Sequence, residues 1–189
     1  MECVILAAGS SSRLGRDKAL VDVGSETLIS WISRRLSSRV ANITIVANES
    51  NFAEITKIVS DVNVIVNRNP HEGRTGSLKV GIDSIDSSRV KDYRLLVVPV
   101  DRPGFSDSTL DHLICSEETC CPMKEGRGGP PLVLTFEDVD KVRKSSANSP
   151  LREVIEASRF EVLDRFLELN IDTPEDIINL EEKLQLVNE

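Results

Sequence analysis

The sequence predicts an α/β protein whose central sheet is mostly parallel and lies between layers of helices. Short apolar runs alternate along the chain with segments whose apolar residues recur at helical spacing. The short runs, such as Leu95–Val98, have no polar interruption, which is typical of strands buried on both faces. A chain of 189 residues suffices for one domain with a single core and would be tight for two.

The first half of the chain alternates strands and helices regularly. Its predicted strands are Val4–Leu6, Ile43–Ala47, Val62–Val66 and Leu95–Val98. Its predicted helices are Leu28–Leu36, Phe52–Val59 and Gly76–Ile85. Apolar side chains recur every three or four positions in the helices, whereas β-branched residues dominate the strands.

The second half is less regular. Asp107–Cys115 predicts a helix, and the Gly and Pro residues of Glu117–Pro131 predict a loop. The remaining predictions are a strand over Leu132–Phe136, a loop over Ser145–Pro150, a short helix over Pro150–Ala157, two strands over Phe160–Leu163 and Phe166–Leu169, and a closing helix over Thr173–Leu186. Thr173 as N-cap followed by Pro174 marks the start of that last helix.

Composition and charge exclude several classes of function. The formal net charge of −8 disfavours a nucleic-acid-binding surface, because such a surface needs a basic footprint. No apolar stretch approaches the roughly 20 residues of a membrane span. The apolar start before Gly9 also lacks the basic opening of a signal peptide. We therefore expect a cytoplasmic protein without membrane or nucleic-acid partners.

The cysteines suggest neither a zinc site nor a disulfide framework. Cys3, Cys115, Cys120 and Cys121 include no C-x-x-C pair, and the two histidines lie far apart. We expect buried or half-buried thiols. A disulfide between Cys115 and Cys120 or Cys121 is possible only in a cell that tolerates cytosolic disulfides.

A loop rich in glycine and serine follows the first strand and ends at Lys18. Small residues let the backbone approach a triphosphate, and successive main-chain N–H groups in such a turn bind anions. Arg13 and Lys18 add positive charge, and Lys18 suits the α-phosphate, where charge develops during transfer. The loop is no P-loop, since Arg16 follows Gly15, and it lacks G-x-G-x-x-G. Composition alone also fits a solvated turn.

Three further segments carry candidate site residues. Gly73 and Gly76 would let a flat ligand approach, and Ser77 offers a hydroxyl at a helix start, although an N-cap explains the same pattern. Asp101 follows a buried strand at the sheet edge where ligands bind, and a carboxylate there can hold Mg²⁺; an Asp-x-Pro turn is the plain alternative. The run Gly126–Pro130 before the next strand also fits an ordinary glycine loop.

These segments resemble the nucleotidyltransferases with a Rossmann-like, glycosyltransferase-A-type fold, and within them the molybdopterin cytidylyl- and guanylyltransferases. The matching positions are Leu6-Ala7-Ala8-Gly9-x-Ser11-x-Arg13-Leu14-Gly15-x-x-Lys18, Asn67-x-x-x-x-x-Gly73-x-x-x-Ser77-Leu78-x-x-Gly81, Asp101-x-Pro103 and Ile171-Asp172-Thr173-Pro174-Glu175-Asp176. They occur in the family's order from residue 4 to about residue 180. Arg102, Pro130 and Asn170 depart from the family pattern, and Pro130 removes a histidine. Arg102 would contact a phosphate or pair with Asp101.

The resemblance implies one three-layer sandwich over residues 1–189, with a nucleotide-binding half over 1–104 and an acceptor-binding half over 105–189. It implies that a nucleoside monophosphate passes from a nucleoside triphosphate to an acceptor phosphate, with Mg²⁺ as cofactor. The implied catalytic residues are Lys18, Arg13 and Asp101, and the implied metal ligands are Asp101 and Asp172. Nucleotide contacts are implied for Leu6, Ala7, Ala8, Gly9, Ser10, Ser11, Gly15, Asn67, Gly76 and Ser77.

The choice of nucleotide depends on Ala8. Ala7-Ala8-Gly9 resembles the cytidylyl branch, whereas the guanylyl branch usually carries Ala-Gly-Gly, and a Cβ at position 8 narrows the space beside the base. We therefore expect CTP, with molybdopterin as acceptor and a partner enzyme that receives the product. The alternatives are a guanylyltransferase, a transferase acting on a sugar phosphate or methylerythritol phosphate, and a non-catalytic nucleotide-binding module. The oligomeric state stays open.

Overall fold

A computed structural model describes residues 1–88 and 92–188. The strands in these ranges are β1 Glu2–Ala7, β2 Asp22–Val23, β3 Glu26–Thr27, β4 Asn42–Ala47, β5 Asn63–Val66, β6 Leu95–Pro99, β7 Cys120–Lys124, β8 Arg127–Gly128, β9 Leu132–Leu134 and β10 Ser158–Glu161. The α-helices are α1 Leu28–Ser37, α2 Phe52–Ile58, α3 Gly73–Ser88, α4 Asp107–Cys115, α5 Phe136–Lys144, α6 Leu151–Val154 and α7 Leu180–Gln185. Short 3-10 helices cover Lys18–Leu20, Pro70–Glu72 and Pro174–Ile177.

One large sheet carries the strand order β10-β7-β9-β6-β1-β4-β5, with β8 paired to β7. Parallel pairs join β1 to β4 and β6, β4 to β5, and β7 to β10. Strand β9 runs antiparallel to both neighbours, β7 and β6. In its pairing with β6, Leu134 lies opposite Leu95, Val133 opposite Leu96 and Leu132 opposite Val97. The predicted mostly parallel α/β fold is confirmed, and strands from before and after residue 104 meet at this single β6–β9 seam.

The sheet separates two hydrophobic cores. Alternate residues of β1 point to opposite faces, so that Cys3 and Ile5 pack in one core and Val4 in the other. The first core takes the apolar faces of α1, α4 and α7, and the second takes those of α3 and α5. Gly81 lets α3 lie close to the sheet, since a Cβ there would come within 2.9 Å of a Val4 methyl group. The result is the expected three-layer sandwich.

The predicted loop over Glu117–Pro131 is wrong, because β7 and β8 lie within it. Pro122 in the middle of β7 hides the strand from any propensity argument. Pairing with β8, β9 and β10 stabilises β7 instead. The small β2–β3 hairpin was also absent from the prediction.

Three other boundaries differ from the prediction. The strand predicted to Phe136 ends at Leu134, because the Thr135 hydroxyl accepts a hydrogen bond from the Asp138 N–H and caps α5. Turns replace the strand predicted over Phe166–Leu169. The closing helix is interrupted at Asn179, whose φ of 55° separates the 3-10 helix from α7.

Two smaller expectations concern the cysteines and membrane spans. All four cysteines are free thiols, with Cys3 and Cys120 buried. None of the helices in the described ranges is long and apolar enough to cross a membrane.

Candidate active site

A cavity of about 220 Å³ opens at the carboxyl ends of β1 and β6. The loop after β1 forms one wall, the start of α3 forms a second, and the residues after β6 form a third. The predicted site residues that line it are Leu6, Ala7, Ala8, Gly9, Ser10, Ser11, Arg13, Lys18, Ser77, Asp101 and Asp172. This is the edge at which parallel α/β sheets bind their ligands.

Lys18 lies between the two aspartates that the family pattern identified. Its Nζ donates to Asp172 Oδ1 at 2.8 Å and lies 3.6 Å from Asp101 Oδ2. The three side chains are only 13–20% exposed, so their charges are partly shielded from water. Arg13, whose side chain is 75% exposed, reaches the same Asp172 carboxylate from the solvent side. Residues far apart in sequence therefore form one charged cluster.

Backbone hydrogen bonds hold the two carboxylates beside each other. The Ile171 N–H donates to the Asp101 carbonyl at 2.9 Å, which ties the C-terminal segment to the end of β6. The Asp176 carboxylate accepts from the N–H groups of Thr173 and Asp172 at 2.7 and 2.9 Å, and these bonds lower its pKa. The hydrogen bond from Lys18 likewise lowers the pKa of the Asp172 carboxyl. Asp172 is therefore held ionised and in place.

Two buried asparagines fix the loop after β1, and sequence reasoning missed both. Asn51 donates to the Ala7 carbonyl at 2.9 Å and to the Asp17 carboxylate at 2.8 Å. Asn48 donates to the Gly9 carbonyl at 3.2 Å, and its own N–H donates to the Asn51 side chain. Burial raises the pKa of the Asp17 carboxyl. The only signal in the sequence was that Asn48 directly follows a buried strand and Asn51 directly precedes the next helix.

Ser11 shapes the same loop from within. Its φ of 50° places it in the left-handed region, and its hydroxyl accepts from the Lys18 N–H at 3.1 Å. Its carbonyl accepts from the N–H groups of Leu14 and Gly15. Gly15 has a φ of 75° and closes this turn without lining the cavity. The turn brings the Lys18 backbone back against the loop, so that its side chain enters the cavity.

Asn67 and Gly76 also lie outside the cavity lining. Asn67 is 2% exposed and donates to the Ser77 hydroxyl at 3.0 Å, which orients Ser77 at the cavity wall. Gly76 packs against Glu72, where an added Cβ would come within 2.8 Å of the Glu72 Cβ. The structure thus gives both residues a supporting position behind Ser77.

The departure at Arg102 has a local explanation. Its guanidinium donates to the Glu168 carbonyl at 3.0 Å and does not line the cavity. It therefore joins the β6 end to the turns that replace the strand predicted over Phe166–Leu169, rather than pairing with Asp101.

A second cavity of about 490 Å³ adjoins the first. Leu6, Arg74 and Pro99 line both, so the two spaces are neighbours across the carboxyl ends of β1 and β6. The second cavity is bounded by α6, β8 and β10, and the segment Gly128–Pro130 contributes to its wall.

Comparison with known proteins gives the arrangement a family context. Residues 3–162 match the model of the MobA-like NTP transferase domain. A molybdenum cofactor guanylyltransferase from Rhizobium johnstonii is 27% identical over 96% of this chain and 92% of its own length. Another, from Vibrio atlanticus, is 30% identical over 65% of this chain. The aligned part covers only 56% of that relative's length. A nucleotidyl transferase structure from Methanothermobacter thermautotroptrophicus superposes with a TM-score of 0.76 at 18% identity, covering 99% of this chain and 98% of that one.

Proposed function

Because the chain belongs to the family of the MobA-like NTP transferase domain, we propose that it transfers a guanylyl group from GTP to the phosphate of a molybdopterin-type acceptor. The match over residues 3–162 identifies the chain as a nucleotidyltransferase of this family. The proposal rests on the cluster of Lys18, Asp101 and Asp172, which lines the first cavity.

GTP replaces the CTP that the sequence pattern favoured. The names of the curated relatives, which are guanylyltransferases, support this choice. The physical argument for CTP rested on the Cβ of Ala8. Ala8 lines the first cavity, but it is only 3% exposed and packs in the core on the α3 side, so it presents little surface to a base.

The proposed reaction needs no nucleophile from the protein. An oxygen of the acceptor phosphate attacks the α-phosphorus in line, the new P–O bond forms, and the bond to the departing pyrophosphate breaks. Positioning and charge neutralisation supply most of the rate enhancement in such transfers. Main-chain N–H groups of the loop would hold the phosphates, while Lys18 and Arg13 would neutralise the charge that develops on them.

The two aspartates also suit a divalent cation. Among the described residues no group of three or more His, Cys, Asp or Glu side chains could hold a metal by itself. Mg²⁺, however, is commonly bound by one or two carboxylates together with water and substrate phosphates, and Asp101 and Asp172 supply such a pair. When bound there, Mg²⁺ would neutralise triphosphate oxygens. Without nucleotide, Lys18 keeps these two carboxylates compensated.

Product analysis tests this proposal. The purified chain is incubated with Mg²⁺, molybdopterin and either GTP or CTP, and pyrophosphate release and product mass are measured. We expect the guanine dinucleotide as the main product, formed only when Mg²⁺ is present. Pyrophosphate release with CTP but not with GTP would support the cytidylyl alternative instead. Transfer to sugar phosphates but not to molybdopterin would overturn the acceptor, and GTP binding without pyrophosphate from any acceptor would indicate a non-catalytic module.

A further inference from the structure

The second cavity is lined by three arginines whose side chains are exposed. Arg74 lies on α3, Arg152 on α6 and Arg159 on β10. Within residues 1–88 and 92–188, none of these three side chains forms an ion pair or a hydrogen bond. Other arginines of the chain do form ion pairs, among them Arg34 with Glu26, Arg35 with Asp107 and Arg39 with Asp111. The arginines at the cavity thus keep their donors free.

Arg16, Arg68 and Arg127 also form no ion pair or hydrogen bond within the described residues, so what sets Arg74, Arg152 and Arg159 apart is the cavity that they surround. Asp and Glu number 31 and Lys and Arg only 23, so carboxylates are plentiful. Among the residues that line the second cavity, Glu156 alone carries a carboxylate. A guanidinium offers five donors in a planar fork that matches phosphate and carboxylate groups. Three such groups around one space favour an anionic or strongly hydrogen-bond-accepting ligand.

Gly128 leaves space for the Arg159 side chain. A Cβ at Gly128 would come within 3.0 Å of Arg159 Nε, 3.1 Å of its Cδ and 3.3 Å of Cys121 Sγ. The absence of a side chain at Gly128 therefore lets the Arg159 side chain lie directly against the strand at the cavity wall. Burial raises the pKa of the Cys121 thiol, so this neighbour stays uncharged at neutral pH.

Apart from the arginines and Glu156, most of the lining is apolar. Val97 of β6, Leu132 of β9 and Leu151 of α6 form it, together with Pro130 and with Ile155, which directly follows α6. A space of about 490 Å³ is within the range that encloses small organic ligands. An apolar lining with arginines around it suits a flat organic ring that carries polar groups at its edge.

The geometry points to separate binding roles for these arginines, and this assignment rests on the proposed function. Arg74, which lines both cavities, binds the phosphate of the acceptor and places it beside the nucleotide. Arg152 and Arg159 bind a polar edge of the acceptor's ring at the far end of the second cavity. The acceptor of the proposed function is thus held by guanidinium groups at both ends.

Direct binding measurements test this assignment without relying on turnover. Two probes are used, a pterin phosphomonoester and the same pterin without its phosphate, and binding is followed by the fluorescence of the pterin. Arg74→Gln should weaken binding of the phosphorylated probe by about 10-fold and leave the unphosphorylated probe unaffected. Arg159→Gln and Arg152→Gln should weaken binding of both probes. Affinity for GTP should stay at the wild-type value in Arg152→Gln and Arg159→Gln.

Arg127→Gln is the matched control, because Arg127 is exposed on β8 beside Gly128 and lines neither cavity. It should bind both probes like the wild type. Equal binding of the probes by the wild type, Arg152→Gln and Arg159→Gln would overturn the assignment, as would a parallel loss of GTP affinity. Arginine-dependent binding of the pterin in a chain that transfers no nucleotide would refute the proposed function while sustaining this site.

Discussion

The two neighbouring cavities differ in how their polar groups are satisfied. In the nucleotide cavity the loop carbonyls accept from Asn48 and Asn51, and Lys18 and Arg13 are already paired with Asp172. In the second cavity the arginines form no ion pair or hydrogen bond with the described residues. A satisfied network rigidifies the structure around it, whereas free donors keep their capacity for a ligand. The first cavity is therefore shaped before binding, and the second keeps donors that the proposed acceptor would engage.

This contrast predicts the largest effect at the carboxylates of the nucleotide cavity. Asp101→Asn should keep the fold and lower turnover by on the order of 10³, because it removes a charge that would hold Mg²⁺ against the substrate. Pyrophosphate release and circular dichroism measure the two properties. Asp111→Asn, which changes an exposed carboxylate on α4, is the control and should keep full activity. A near wild-type rate for Asp101→Asn would refute the metal role.

The next largest effect is expected at the cation between the carboxylates. Lys18→Met should lower kcat by roughly 10²-fold, since it removes positive charge from the position proposed for the α-phosphate. Single-turnover measurements at saturating GTP would separate this loss from weaker binding. If only KM rose, Lys18 would serve binding and not the transfer step.

A smaller effect should follow from loosening the loop. Asn51→Ala leaves the buried Ala7 carbonyl and the Asp17 carboxylate without this donor, which should lower the free energy of unfolding by about 1–3 kcal/mol. Affinity for GTP should fall with it, while binding of the pterin probe stays unchanged. Denaturant unfolding and GTP titration provide the measurements, with the exposed Asn63→Ala as control. Equal losses of GTP and pterin affinity would show that the two cavities are not independent.

The smallest effect concerns pH. The hydrogen bond from Lys18 lowers the pKa of Asp172 in the folded chain, relative to about 3.9 in the unfolded chain. The resulting stabilisation is present above that unfolded value and is lost as pH falls through the lowered pKa. The Tm of the wild type should therefore fall more steeply below pH 4 than that of Lys18→Met. Parallel pH profiles of the two proteins would contradict this coupling.

The first half of the fold was predictable because its signals are local. Strands such as Ile43–Ala47 and helices such as Leu28–Leu36 show their periodicity within a few residues, and the structure confirms them with small shifts of their ends. The second half depends on tertiary pairing. Nothing in the neighbourhood of Pro122 indicates a strand, and nothing in the Thr173–Leu186 pattern indicates the left-handed Asn179.

The candidate site divides in the same way. Lys18, Asp101 and Asp172 belong to continuous motifs that follow strands or precede a helix, so the resemblance could identify them. Arg74, Arg152 and Arg159 come from three separate elements, and only the folded sheet brings them to one cavity. Gly76 and Asn67 belong to a motif as well, yet the motif could not tell a lining residue from one that supports its neighbour.

The β6–β9 seam has an evolutionary consequence. Strands encoded before residue 104 carry the loop after β1, and strands encoded after it carry most of the second cavity, with three paired positions between β6 and β9. Replacement of exposed side chains beyond the seam, such as Arg152 and Arg159, therefore leaves the pairing of β1, β4 and β5 intact. On the proposed function, duplicated copies of such a gene can keep the nucleotide site and acquire a different acceptor through changes in the second cavity.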